Sequence, residues 1–244
     1  MKGSEDWPEG FRWTFGGGTA LAVHYDHRIS YDIDAFVTSA DIVSALAPNQ
    51  NPVVKRLIEN SKYEFPGNYL KLVFDAGEID FIVGGRRTDR AAAPWDFEDR
   101  SILLENPWEI GIKKLFYRPS AFKIRDVFDL AVIMDRHPEE LVGSLHKVAD
   151  RLDRAMDRIS LLSSVYGKQV LSDVNPRPGY EAYLRDDTPQ RLHAFLVSHR
   201  PAAENIADGP AVNLSDLAAR TRRSLGIEPD VLPPTPETPD PEPS

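Results

Sequence analysis

The sequence predicts an α/β protein in which a mixed sheet with flanking helices is followed by a helical half. Three observations lead there. A glycine turn, Gly16-Gly17-Gly18, runs through a short apolar stretch towards Asp32-Ile33-Asp34-Ala35-Phe36-Val37. Short runs that alternate between apolar and polar residues follow as far as Val83, the signature of strands. Beyond Asn106 the apolar residues recur at helical spacing instead.

The first part, residues 1–105, carries the sheet. Trp7 to Phe15 reads as a turn and a short aromatic strand packed beneath the glycine turn. Ala20 to Val23 reads as a short helix whose first free N–H groups point at the turn. Asp32 to Val37 reads as a strand. Ser39 opens a helix with Asp41 in its first turn, and Pro52 opens another through Glu59. Tyr63–Phe65, Tyr69–Phe74 and Glu78–Val83 read as strands, with Asp75-Ala76-Gly77 as a hairpin turn. Residues 84–100 read as a polar loop and Ser101–Leu104 as an edge strand.

The second part, residues 106–226, reads as helical. Pro107 suits a first helical turn, and Trp108, Ile112, Leu115 and Phe116 share one face. Glu109 and Lys113, four apart, form a surface ion pair on this reading. Lys114 and Arg118 are like charges four apart, tolerated best if both address an external anion; the alternative is a solvated face. In the next helix Ile124, Val127, Phe128 and Ala131 form the buried stripe, with Asp126 and Asp129 opposite. Further helices are expected over 138–146, 148–166, 189–199 and 214–225. Residues 227–244, acidic and rich in proline, are expected to be a disordered tail.

Composition narrows the chemistry. The 244 residues contain no cysteine, which excludes disulfides and thiolate metal sites. Hydrophobic residues make up 41% and charged residues 27%, the balance of a globular protein with an ordinary core. No apolar stretch approaches a membrane span, so the expected location is the cytoplasm and no membrane partner is expected. The net charge of −9 disfavours a nucleic-acid partner at first sight. The five acids between Glu228 and Ser244 carry more than half of it, and Ile110–Arg125 holds Lys113, Lys114, Arg118, Lys123 and Arg125 with no acid.

The glycine turn and the Asp-x-Asp strand point to phosphate chemistry. Glycines allow backbone N–H groups to approach an anion closely. Asp32 and Asp34, two apart on a strand, project from the same face. Two adjacent carboxylates raise each other's pKa unless a cation lies between them, and hard oxygen ligands suit magnesium. A Walker A loop is excluded because no Gly-Lys-Ser/Thr follows the glycines. His24 and His27 read as packing or substrate contacts rather than zinc ligands, and Ser30 lacks the context of a nucleophile.

The stretch from Gly16 to Phe36 resembles the first motif of the AbiEii/AbiGii-type nucleotidyltransferase toxins of abortive-infection and toxin–antitoxin systems. The later pattern, a lysine-bearing helix followed by Arg125-Asp126 and Asp129-Leu130, is similar to that family's later motifs. The resemblance implies a nucleotidyltransferase-like core whose active site lies in the cleft with the helical half. It implies that Gly17, Gly18 and Thr19 hold the phosphates of a nucleoside triphosphate. Asp32 and Asp34 would then bind Mg2+ or Mn2+, with Asp80 as a third carboxylate for metal or acceptor hydroxyl. Lys114 and Asp126 fall on the family's active-site lysine and aspartate, with Arg118 beside them. The implied acceptor is tRNA or a protein, and the implied partner a cognate antitoxin. Two other classes share the cleft: a catalytically silent nucleotide- or protein-binding module, and a small-molecule nucleotidyltransferase of the antibiotic-modifying kind.

Overall fold

The structure, a computed structural model, describes residues 12–59 and 61–201. The helix expected over 214–225 and the expected tail lie outside the described residues.

Among the described residues, seven strands form one mixed sheet. They are β1 (Trp13–Gly16), β2 (Ile33–Val37), β3 (Tyr63–Glu64), β4 (Tyr69–Phe74), β5 (Gly77–Val83), β6 (Ala92–Phe97) and β7 (Arg100–Glu105). Their spatial order is β3-β4-β5-β2-β1-β7-β6. The central pairs alternate in direction: β5 runs parallel to β2, β2 antiparallel to β1, and β1 parallel to β7. Helix α1 (Gly17–Tyr25) therefore leaves the sheet between its two middle strands, and it starts at the glycines rather than at Ala20.

Period-two alternation decides what each face does. On β2 and β5, Val37, Ile79, Phe81 and Val83 join the apolar cluster under α2 (Ala40–Leu46) and α3 (Pro52–Ile58). Their neighbours Asp34, Phe36, Asp80 and Ile82 line a cavity on the other side. Asn51 fixes the start of α3, its side-chain oxygen accepting from the N–H groups of Val53 and Val54 at 3.0 Å.

The polar loop expected over 84–100 is half strand. β6 and β7 form a hairpin from Ala92 to Glu105. Ala92, Ala93 and Pro94 carry little strand preference, and Pro94 is tolerated because β6 is the sheet edge, where a missing N–H costs no ladder bond.

The rest is helical: α4 (Pro107–Tyr117), α5 (Ile124–Arg136), α6 (Pro138–Ser144), α7 (Leu152–Ser163), α8 (Tyr166–Val174) and α9 (Thr188–Ser198). The helix expected over 148–166 begins only at Leu152. Before it, Leu145–Arg151 is 3-10 in character, with non-helical dihedrals at Val148. Helix α8 had no counterpart in the sequence reading, although Tyr166, Val170 and Val174 lie on one buried face. The larger core runs from Phe15, Leu21 and Leu104 through Ile112, Leu115, Phe128 and Leu130 to Leu192 and Leu196. Sheet and helical half are thus sealed by one apolar cluster. No helix among the described residues is long and apolar enough to cross a membrane.

Candidate active site

A cavity of about 350 Å3 opens where the N-terminus of α1, the acidic face of β2 and β5, and helix α4 meet. Gly17 sits at φ +70°, a conformation that favours glycine, and a Cβ there would overlap the Asp34 carboxylate. Gly18 has the same need for a different reason: a Cβ would meet the Arg28 guanidinium. Both glycines line the cavity. Thr19 does not line it. Its hydroxyl is engaged with Ser30 Oγ at 2.9 Å and with the backbone oxygen of Asp32, which fastens the turn to the chain entering β2.

The acids come together through strand register. Asp34 stands opposite Asp80 across the parallel β2/β5 pair, and Asp32 lies just before β2. All three line the cavity. Burial, then the charge of Asp80, pushes the Asp34 carboxyl up to about 6, with Asp32 adding to the rise. Asp80 is raised too, chiefly by burial, although Lys71 pulls the other way. Asp80 Oδ1 is buried without a hydrogen-bond partner. This donor set fits a divalent cation: hard oxygens, one of them orphaned, in a group of acids that disfavour one another's ionisation. Among the described residues, however, no three acids or histidines are already gathered as a metal cage.

Facing the acids are cations held by two buried aspartates. Lys114 Nζ donates to Asp126 Oδ1 at 2.6 Å and to Asp129 Oδ2 at 2.8 Å. Asp129 also accepts from Arg28, Nε at 2.7 Å and Nη2 at 3.0 Å, and lies 2.8 Å from His27 Nε2. Burial alone would raise the Asp129 carboxyl, but Lys114 and Arg28 bring it well below the usual range. Asp126 follows the same logic: burial opposes ionisation, and Lys114 and Arg118 overcome it. Its Oδ2 accepts the backbone N–H of Lys123 at 3.0 Å, anchoring the first turn of α5. Asp126 does not line the cavity; it stands behind Lys114, which does, as do Arg118 and Arg125.

Two expectations about these helices fail. The Glu109–Lys113 surface pair is not on the surface: Glu109 is fully buried and Lys113 nearly so. Lys113 Nζ reaches Glu105 Oε1 at 2.5 Å, stays 3.7 Å from Glu109, and lies over the Phe36 ring. Glu109 instead accepts from the backbone N–H groups of Arg87 and Thr88 and from the Thr88 hydroxyl. Asp126 and Asp129, read as lying opposite the buried stripe, are also fully buried. The face opposite the α5 stripe is covered by α4 and by the His27-Arg28 segment, so the helix is enclosed on both sides.

The His27-Arg28 segment is gripped from the helical half as well. The Arg177 N–H donates to the His27 carbonyl, and the Ile29 N–H to the Asn175 carbonyl, just past α8. Sequence reasoning placed Arg28 in a motif without giving it a task, assigned none to Lys71 or Glu105, and read His27 only as a packing or substrate contact. The signal for Arg28 was the fixed motif segment itself. Lys71 meets Glu78 and Asp80 across a strand pair, Glu105 meets Lys113 on the helix that follows, and His27 meets Asp129 more than a hundred residues away, none of them at a spacing that a single helix or strand face would show.

The family model described as "Nucleotidyl transferase AbiEii toxin, Type IV TA system" matches residues 8–208. The chain belongs to that family. By its description that family is one of nucleotidyl transferases that are toxins of toxin–antitoxin systems. The crystal structure of JHP933 from Helicobacter pylori matches with a TM-score of 0.46 at 16% identity, covering 89% of this chain and 90% of that one. No curated protein matches the chain.

Proposed function

We propose that the chain moves a nucleotide from a nucleoside triphosphate onto a hydroxyl of an acceptor such as tRNA or a protein. The observation that carries this reading is the row of Asp34 and Asp80 across β2 and β5, beside the Gly17-Gly18 turn and facing Lys114 in one cavity.

In this reading the backbone N–H groups at Gly17 and Gly18 take the β- and γ-phosphates, with Thr19 holding the turn. Asp32 and Asp34 would hold Mg2+ or Mn2+, whose chemistry is to neutralise phosphate charge and fix the triphosphate for attack. Asp80, with one unpartnered oxygen and a raised pKa, takes the proton of the acceptor hydroxyl. The hydroxyl oxygen bonds to the α-phosphorus, the bond from that phosphorus to the β-phosphate oxygen breaks, and pyrophosphate leaves. Lys114 and Arg118 stabilise the charge that gathers on the pyrophosphate. Asp126 and Asp129 act through Lys114 and Arg28 as positioning residues. A separately folded antitoxin is the proposed protein partner.

The test is incubation with each labelled nucleoside triphosphate, magnesium and either total cell RNA or cell protein. Label in a macromolecule that requires Asp34 supports the proposal. Tight nucleotide binding with no transfer to any acceptor would favour a silent binding module.

A further inference from the structure

Lys71 has no task in the scheme above, yet it reaches into the acidic side of the cavity. Strands β4 and β5 pair antiparallel with Lys71 opposite Asp80, and Asp80 in turn stands opposite Asp34. One row across three strands therefore reads Lys71, Asp80, Asp34 on the cavity face. The ammonium is paired with Glu78 and lies 3.3 Å from Asp80 Oδ2. Only 22% of its side chain is exposed, so solvent screens it less than an ordinary surface lysine.

Asp80 is thereby divided. One oxygen faces an internal ammonium, and the other is buried with no partner. The ammonium already facing this carboxylate repels a second cation brought to the same oxygens. The three acids are also not gathered on one point, among the described residues. Among the described residues neither Asp32 nor Asp34 is in an ion pair of this kind, although the charges of Lys114 and Arg118 act on Asp34 from across the cavity.

We infer that Lys71 is a built-in cation that takes the place of a second divalent ion at Asp80, so that the centre takes up one divalent cation, at Asp32 and Asp34. This rests on the nucleotidyl-transfer reading of the site and adds its metal count. Lys71 is a positioning residue in this scheme: it fixes Asp80 through Oδ2 and leaves Oδ1 for the acceptor, without a second metal.

The test is Mn2+ binding to the full-length protein without nucleotide, by calorimetry and by the loss of the free-ion paramagnetic signal. The wild type should bind one Mn2+ per chain. Lys71→Met should bind a second, or bind the first roughly tenfold more tightly, because a repelling unit charge is gone. Lys71→Arg should behave as the wild type. Lys71→Gln serves in the same role if the methionine variant folds poorly by circular dichroism. Two Mn2+ per wild-type chain would overturn the inference, whatever the variants do. So would a Lys71→Met isotherm that overlays the wild type. An Asp34→Asn isotherm unchanged from wild type is a separate outcome: it removes the metal site itself, and with it both this inference and the reading beneath it.

Discussion

Lys114, in the wall of the cavity, meets Asp129 behind it at 2.8 Å, and both side chains are buried. Because Asp129 also holds both Arg28 and His27, one carboxylate ties the loop after α1 to the lysine of α4. A charge this enclosed is worth keeping only if its partners stay in place.

Asp129→Asn keeps the shape and removes the charge. It leaves Lys114 and Arg28 with less compensation, and we expect it to cost about 3 kcal/mol in stability. Transfer should fall further than the fraction unfolded explains, since Lys114 loses one of its two anchors. Urea unfolding beside a transfer assay on the folded fraction decides this. An Asn variant as stable and as active as the wild type would remove the clamp from the account.

The parts of this site that could be read in the sequence are those built from neighbours in the chain. Gly17 and Gly18, the Asp32/Asp34 pair and Lys114 are set by short spacings, and the structure brings them to one cavity, with Thr19 left behind the turn. Asp80 needed a family resemblance, since an isolated acid in an apolar strand does not announce its partner strand. Lys113 was misread because a helical wheel shows which face is apolar but not whether a second layer covers the polar one. Helix α4 lies between the sheet and the helical half, so its polar face is buried too and its charges must pair. The β6 strand was missed for an opposite reason: its fold comes from pairing with β7, while its own residues favour a loop.

The Lys113–Glu105 pair should now behave as an interior contact rather than as a surface one. Removing the lysine leaves Glu105 and Glu109 buried without it, so Lys113→Met is expected to cost about 3–5 kcal/mol. Glu105→Gln added to it should restore part of the loss, a coupling of about 1–3 kcal/mol in a double-mutant cycle. Additive effects on the melting curves would contradict the pairing.

The metal-free protein should lose stability as pH rises through the window set by Asp34. Its carboxyl is raised in the folded state from 3.8 to about 6 by burial and then by Asp80. Between those values the folded chain holds a proton that the unfolded chain has released, so the unfolded state gains with rising pH. The cost at neutral pH is roughly 2–3 kcal/mol. Asp34→Asn should therefore unfold at higher temperature than the wild type at pH 7.5 in a chelator, and at the same temperature near pH 4. Equal curves at both pH values would show that Asp34 ionises without penalty.

Gly17→Ala tests the turn. The added methyl must occupy a positive-φ residue and the space of the Asp34 carboxylate, a strain of about 1–3 kcal/mol. The folded variant should bind Mn2+ and nucleotide more weakly, because Asp34 has to move. Calorimetry with each ligand would show it, and unchanged affinity for both would mean that the turn does not set the site.

The central claim is that the bond broken lies at the α-phosphorus. It is tested most directly by running the reaction twice, once with α-labelled and once with γ-labelled nucleoside triphosphate, for the wild type and Asp34→Asn. The account requires α-label on the acceptor, γ-label in released pyrophosphate, and neither product from the variant. Label from the γ-phosphate on the acceptor, or α-label transferred equally well by the Asp34→Asn protein, would contradict it.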